Sequence, residues 1–431
     1  MDKYNLVSLL GIFLLMGTAW IFSSNRRLIN WRLIFCGTLL QLIFALFVFW
    51  MPAGVTFFRV INDIVIKLFS FSKEGMYFLF GPLAVSPGTT GPGGENSLGF
   101  ILVFQALPTI IFFSTLMSLL YFIKFMPVII RAFAWIFTRL LRVSGAESLC
   151  VSSNIFVGIE SAFTIKPYLK DMTSSELTTI LTAGMATIAS TVLALYVFFL
   201  KSQFPSVAGH LISASILSAP AALIMAKLIM PEVDKPKTLG KTISLGESEA
   251  TNWVESIIKG SFEGVKLCVG ICALLMAFLS LLAMVNWGVS SLGSVFNLDI
   301  TLESILSYIF YPFACMIGIP CSDVPQIANL LGKRLIVTEL IAYQNLATLI
   351  SKNILQHPRT VVIAAYALCG FAHIASLAIF VGGYAVIIPS RGKDLAKLGF
   401  KALLAATLAC LMTGAVAGVF FSGGETILLG K

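Results

Sequence analysis

The chain has 431 residues, 58% of them hydrophobic and 11% charged, and a mean hydropathy of +0.95. Soluble domains carry roughly 25% charged residues, so this composition excludes a soluble protein and predicts a polytopic membrane protein. The formal charge of +9 falls largely in connecting segments, as loops facing an anionic inner leaflet require, and does not point to nucleic acid.

Several apolar runs reach ~20 residues, enough for a helix to cross about 30 Å, and the short alternating segments of a barrel are not evident. The expected fold is all-α, with about eight transmembrane helices and two opposed re-entrant hairpins in inverted repeats. Spans one and two are predicted at 4–24 and 33–51, joined by "NRRLINWR". Its three arginines place that loop in the cytoplasm and the N-terminus outside. The first span lacks a convincing cleavage site and ends at Arg26 and Arg27, so it reads as retained.

Residues 55–81 mix charges with aromatics at helical spacing, predicting an interfacial helix. The loop "SPGTTGPGGENS" follows, then span three at 99–122. Residues 126–169 are apolar but interrupted by Arg131, Arg139, Arg142, Glu147 and Glu160. Two half-length pieces around "RVSGAES" are predicted, a re-entrant hairpin that must be buried in protein or line water. Spans four (175–200) and five (207–230) precede the polar loop "PEVDKPKTLGKTISLGESEATN", and span six is at 263–287.

The interruption recurs at 302–346, where two apolar pieces flank "GIPCSDVP" and Glu339 lies in the second. Span seven (360–388) contains "CGFAHIASLAIFVGG" and is predicted to break there; the basic loop "SRGKDLAKLGFK" precedes span eight at 402–421. The two interruptions, entering from opposite sides, describe the inverted repeats of secondary transporters. The expected division is 1–125 mainly scaffold, 126–258 one transport half, 259–290 scaffold, 300–390 the second transport half, and 391–431 span eight with the C-terminus.

A carboxylate at mid-membrane costs a few kcal/mol, so Glu160 and Glu339 are the first candidates for function. The alternative is a structural ion pair, with Lys166 or Lys333. His373 is the histidine deepest in an apolar span, flanked by Gly370, Ala372, Ala375 and Ser376, and Phe371 offers a face for a flat ring. Asn154 and Thr187 supply neutral oxygens of the kind Na⁺ accepts, with helix-to-helix hydrogen bonding as the alternative. The eight cysteines mostly lie in apolar runs; Cys268 and Cys272 are a turn apart, with no nearby histidine to complete a metal set. No nucleophile or metal motif accompanies the two acids, and an enzyme is not expected.

At these positions the sequence resembles the concentrative nucleoside transporters. The resemblance runs through "NRRLINWR", "LPTIIFFSTLMSLLY", "NIFV…E…IKPYL", "GMATIAS", "GIPCSDVPQIANLLGKRLIVTELIAYQ" and "YALCGFAHIAS", in the family's order. It implies a homotrimer in the inner or plasma membrane, importing nucleosides with a coupling cation by an elevator motion. Na⁺ is favoured, with H⁺ as the alternative, and no other cofactor is implied. The matching substrate positions are Ile159, Glu160, Val192, Glu339, Phe371, His373 and Ser376; the Na⁺ positions are Asn154, Val157, Thr187 and Ile188. Two departures stand out. The tip "GIES" is one residue shorter than the family's glycine-or-serine, glutamine, threonine, glutamate, and puts Ile159 where base-reading groups are expected. His373 replaces an asparagine; neutral imidazole still offers one donor and one acceptor, and can add pH dependence. A nucleobase or modified nucleoside is the rival solute; a membrane enzyme and a passive channel are the rival classes.

Overall fold

The computed structural model describes residues 3–86, 89–91, 93–158, 161–241, 243, 250–294 and 301–422. Among these there is no strand beyond two isolated bridges, Thr90–Asn96 and Ser144–Leu239. Two helices, α1 (Lys3–Ile21) and α2 (Trp31–Phe49), precede α3 (Pro52–Phe80), which occupies the expected interfacial segment. A four-residue turn, α4 (Leu102–Gln105), leads to α5 (Pro108–Phe122), and α6 (Phe125–Ile136) runs into a π-helical turn at Phe137–Leu141. Then come α7 (Gly145–Asn154), α8 (Ser161–Thr164), α9 (Ser174–Ala186), α10 (Ser190–Leu200) and α11 (Val207–Ile229). The second half holds α12 (Trp253–Ser294), α13 (Leu302–Met316), α14 (Val324–Ile336), α15 (Glu339–Ser351), α16 (Pro358–Ala367), α17 (Ile374–Ile387) and α18 (Gly392–Phe420).

Among the described residues, seven helical segments are long and apolar enough to cross a membrane; the expected seventh span is the broken pair α16–α17. Helix α12 is 42 residues, far beyond span six as expected, and at 1.5 Å per residue it is about 63 Å long. It packs on α5 through small residues: a Cβ on Gly260 would stand 2.8 Å from Thr115 Cα and 2.9 Å from the Ser114 carbonyl oxygen. Helices α9, α11 and α18 form the buried centre.

Four expectations need correction. The first interrupted region is three helical pieces rather than two. Ser144 and Glu147 form a capping box that starts α7, and the chain pauses again after Asn154. Span four is broken, because Thr187 and Ala189 are extended and end α9 before α10 begins. Glu339 lies in a third piece of the second region, since Thr338 (φ −164°, ψ 161°) separates α14 from α15. The basic "SRGKDLAKLGFK" is a 3₁₀ turn leading into helix, with Arg391 Nε 2.7 Å from Asp394 Oδ2 across the first turn of α18.

Contacts to the two ends of α1 give the hairpins their directions. Near its start, Asn5 donates to the Val419 carbonyl (2.9 Å), Ser8 donates to the Ile317 carbonyl (2.9 Å), and Arg359 Nη2 donates to the Tyr4 carbonyl (2.8 Å). Beyond its far end, the Ser24 amide donates to the Ile229 carbonyl (2.9 Å) and Lys401 donates to Ser24 Oγ (2.7 Å). Helix α7 starts at that far end, where Glu147 meets Lys227 at 2.5 Å. Helix α14 starts at the near end, where Asp323 accepts from Thr360 Oγ1 (2.6 Å) and the His357 amide (3.2 Å). The two interrupted regions therefore enter from opposite ends and stop inside.

Candidate functional site

Three helix breaks meet in the interior: Thr187–Ala189, Val337–Thr338 and Leu368–His373. The last is forced by Gly370, whose φ is +141° and whose Cβ, were there one, would lie 2.6 Å from Cys410 Sγ and 2.7 Å from the Ala186 carbonyl oxygen. Only glycine fits such a crossing. Each break leaves a helix N-terminus pointing inward, and Glu339 occupies the first position of α15, where the helix dipole favours a carboxylate.

Glu339 is 4% exposed, so its charge needs partners. Tyr196 Oη donates to Oε1 at 2.8 Å, and His373 Nε2 lies 2.8 Å from Oε2. The expected alternative partner, Lys333, does not form an ion pair with it. His373 caps α17: its Nδ1 accepts from the Ser376 amide at 3.1 Å, so the ring proton is on Nε2, facing the carboxylate. That contact is not aligned as a hydrogen bond, and Oε2 is left with no aligned donor. Ser376 Oγ donates to the carbonyls of Phe371 and His373 and accepts from the His373 amide (3.3 Å), so it is committed to the cap.

Beside this cluster is a cavity of about 150 Å³. Val192, Glu339, Phe371, His373 and Ser376, five of the positions named from sequence, all line it. The rest of its wall is mainly apolar, with Leu195 from α10, Ile271 and Leu275 from α12, and Ile379 from α17. Gly158 also lines it; Ile159 and Glu160, which follow, lie outside the described residues.

The four positions named for a cation come together nearby. The Ser190 amide donates to the Phe156 carbonyl at 2.9 Å, and Ser215 Oγ is 2.9 Å from the Ile155 carbonyl and 3.4 Å from that of Ile188. These bonds hold the end of α7, with Asn154 and Val157, against the break at Thr187 and Ile188. Asn154 is fully buried; its Nδ2 donates to the Cys150 carbonyl (3.0 Å), while its Oδ1 has no partner. Thr187 Oγ1 donates to the Ala183 carbonyl (2.8 Å), leaving its lone pairs unused. The orphaned buried amide oxygen of Asn154 is a hard, neutral donor, of the kind that Na⁺ accepts and a softer metal does not favour.

Sequence reasoning missed Tyr196. Its spacing from Val192, one helical turn, was the available signal. The pairing of Glu147 with Lys227 was also missed, because the two are 80 positions apart.

Three family descriptions match: the N-terminus of the Na⁺ dependent nucleoside transporter over residues 10–83, "nucleoside recognition" over 103–203, and the C-terminus of the Na⁺ dependent nucleoside transporter over 210–418. Mouse solute carrier family 28 member 3 is 37% identical over 97% of this chain, which spans 59% of that protein's length. The uncharacterized transporter YutK of Bacillus subtilis is 37% identical over 96% of this chain and 98% of its own length. The solved structure of CNTnw in an inward-facing substrate-bound state aligns with TM-score 0.86 at 33% identity, over 97% of this chain and 98% of that one. By sequence and by fold alike, the chain belongs to the Na⁺ dependent nucleoside transporter family.

Proposed function

We propose that the protein is a cation-coupled symporter that imports nucleosides across the cell membrane, with Na⁺ favoured over H⁺. The observation that carries this reading is the buried Glu339 carboxylate, bonded by Tyr196 and 2.8 Å from His373 Nε2, at the edge of an apolar cavity where helix breaks meet. Glu339 would accept hydrogen bonds from the sugar hydroxyls, with His373 as the adjacent donor and Ser376 shaping the cap. Phe371 and Val192 would pack the base, and Ile159 and Glu160 would close the site from the first hairpin. Asn154, Val157, Thr187 and Ile188 would hold Na⁺, so that each ligand raises the affinity for the other.

Related CNTnw structures occur in inward- and outward-facing states, which supports alternating access here. In this reading the halves 126–258 and 300–390 move as a transport unit against a scaffold of 1–125 and 259–290. The chain works as a homotrimer, with its N-terminus outside. Uptake of uridine into proteoliposomes with Na⁺ and H⁺ gradients imposed separately tests the coupling. Accumulation driven by Na⁺ is expected, and accumulation only with H⁺ would leave the Asn154 cluster structural. Glu339→Gln is expected to abolish uptake with assembly intact; normal uptake would remove the sugar-binding role. The shortened "GIES" tip favours one second reading, a nucleobase or modified nucleoside on the same scaffold. Competition of uridine uptake by nucleosides, nucleobases and ribose distinguishes it.

A further inference from the structure

Thr338, immediately before Glu339, lines the same cavity and is 8% exposed. Its hydroxyl has no hydrogen-bond partner among the described residues. Several buried side-chain polar atoms are orphaned in this way, but only Thr338 Oγ1 and Glu339 Oε2 belong to residues that line this cavity. The two unsatisfied groups are therefore consecutive in the chain and share one void.

Local structure does not account for the hydroxyl. Thr338 stands at the N-cap of α15, where threonine ordinarily accepts from an amide of the first turn, yet its side chain makes no such bond. Its carbonyl is committed to the helix, accepting from the Ala342 amide at 3.3 Å. The extended backbone (φ −164°, ψ 161°) is open to any residue, so the break itself does not require threonine. A buried hydroxyl with nothing to bond is unfavourable, and the adjoining cavity is where a partner can arrive.

The chemistry of the two orphans narrows that partner. A carboxylate only accepts, whereas a hydroxyl both donates and accepts. A solute with several hydroxyls satisfies both, one donating to Glu339 Oε2 while the same or a neighbouring one bonds Thr338 Oγ1. We propose that Thr338 is a further solute-binding residue, its hydroxyl bonding a ribose hydroxyl beside the Glu339 carboxylate. This assignment rests on the nucleoside reading above.

The test measures uridine uptake by the full chain in proteoliposomes, with 2′-, 3′- and 5′-deoxyuridine as competitors, for the parent, Thr338→Val and Thr338→Ser. Valine keeps the shape and removes the hydroxyl. Thr338→Val is expected to raise the half-saturating uridine concentration about 3- to 10-fold, with maximal rate changed less, and Thr338→Ser to restore it. For the analogue that lacks the hydroxyl held by Thr338, the parent and Thr338→Val should bind equally well; the other analogues should keep the full penalty. The unfolding temperature without solute should stay at the parental value, since no bond is lost. Parental uridine affinity in Thr338→Val overturns the proposal; if the unfolding temperature also falls, the hydroxyl is a helix cap. An equal penalty for uridine and all three analogues removes the sugar contact. Thr338→Ala gives the same comparison if valine disturbs the fold. If the parent does not take up uridine, the nucleoside reading falls and this assignment with it, so the two failures are told apart by the parent alone.

Discussion

Replacing Tyr196 by Phe removes a single hydroxyl and leaves the ring in place. That ring stacks on Tyr343 at 4.4 Å between centroids, and Tyr343 is held separately by donating to the Ala365 carbonyl at 2.6 Å. What is lost is the 2.8 Å bond to Glu339 Oε1. A hydrogen bond to a charged group contributes about 1.5–3 kcal/mol, which is roughly a 10- to 150-fold change in an equilibrium constant. In the parent the carboxylate plane is fixed before the solute arrives; in the variant the solute must fix it. Uridine affinity in proteoliposome uptake is therefore expected to fall by about that factor, with maximal rate less affected. Tyr343→Phe is the control: it should lower the unfolding temperature while sparing affinity. If Tyr196→Phe transports with parental affinity, Glu339 does not depend on its donor and the reasoning fails.

Gly370→Ala places a methyl group against Cys410 and the Ala186 carbonyl at a φ of +141°; a loss of stability beyond about 1–3 kcal/mol and of uptake is expected, measured by unfolding and transport. Lys227→Met would strand Glu147, which is 1% exposed, and should cost about 3–5 kcal/mol in thermal unfolding. The double variant Glu147→Gln with Lys227→Met should recover part of that loss, since Glu147 no longer carries a charge, while Glu232 and the buried Glu176 still lose the ammonium. Asn154→Leu keeps the branched skeleton but removes the orphaned Oδ1, together with the Nδ2 bond to Cys150; uptake should lose its Na⁺ dependence, as read from Na⁺ titration of uptake, with thermal unfolding checking that the fold survives.

Much of the architecture was legible because hydrophobicity and chain-breaking residues act locally. The apolar runs marked the spans, and "RVSGAES", "GIPCSDVP" and "CGFAHIAS" marked real interruptions. The break at Thr187 was harder to see, because it carries neither glycine nor proline and is held by distant groups such as Ser215. The helical state of "SRGKDLAKLGFK" was hidden for a related reason: charge alone does not end a helix when Asp394 and Arg391 pair across its first turn.

The site divides in the same way. Composition and segment length by themselves determined that this is a helical membrane protein with charged groups buried in its apolar pieces, since lipid leaves few other solutions. Which partner each buried group has was decided only by tertiary structure. Glu339 could have met Lys333 six positions away, yet it meets Tyr196 and His373, because the broken helices carry those side chains to it from distant parts of the chain. A buried charge must be compensated, but any segment that folds against it can do so, and only the packing selects which.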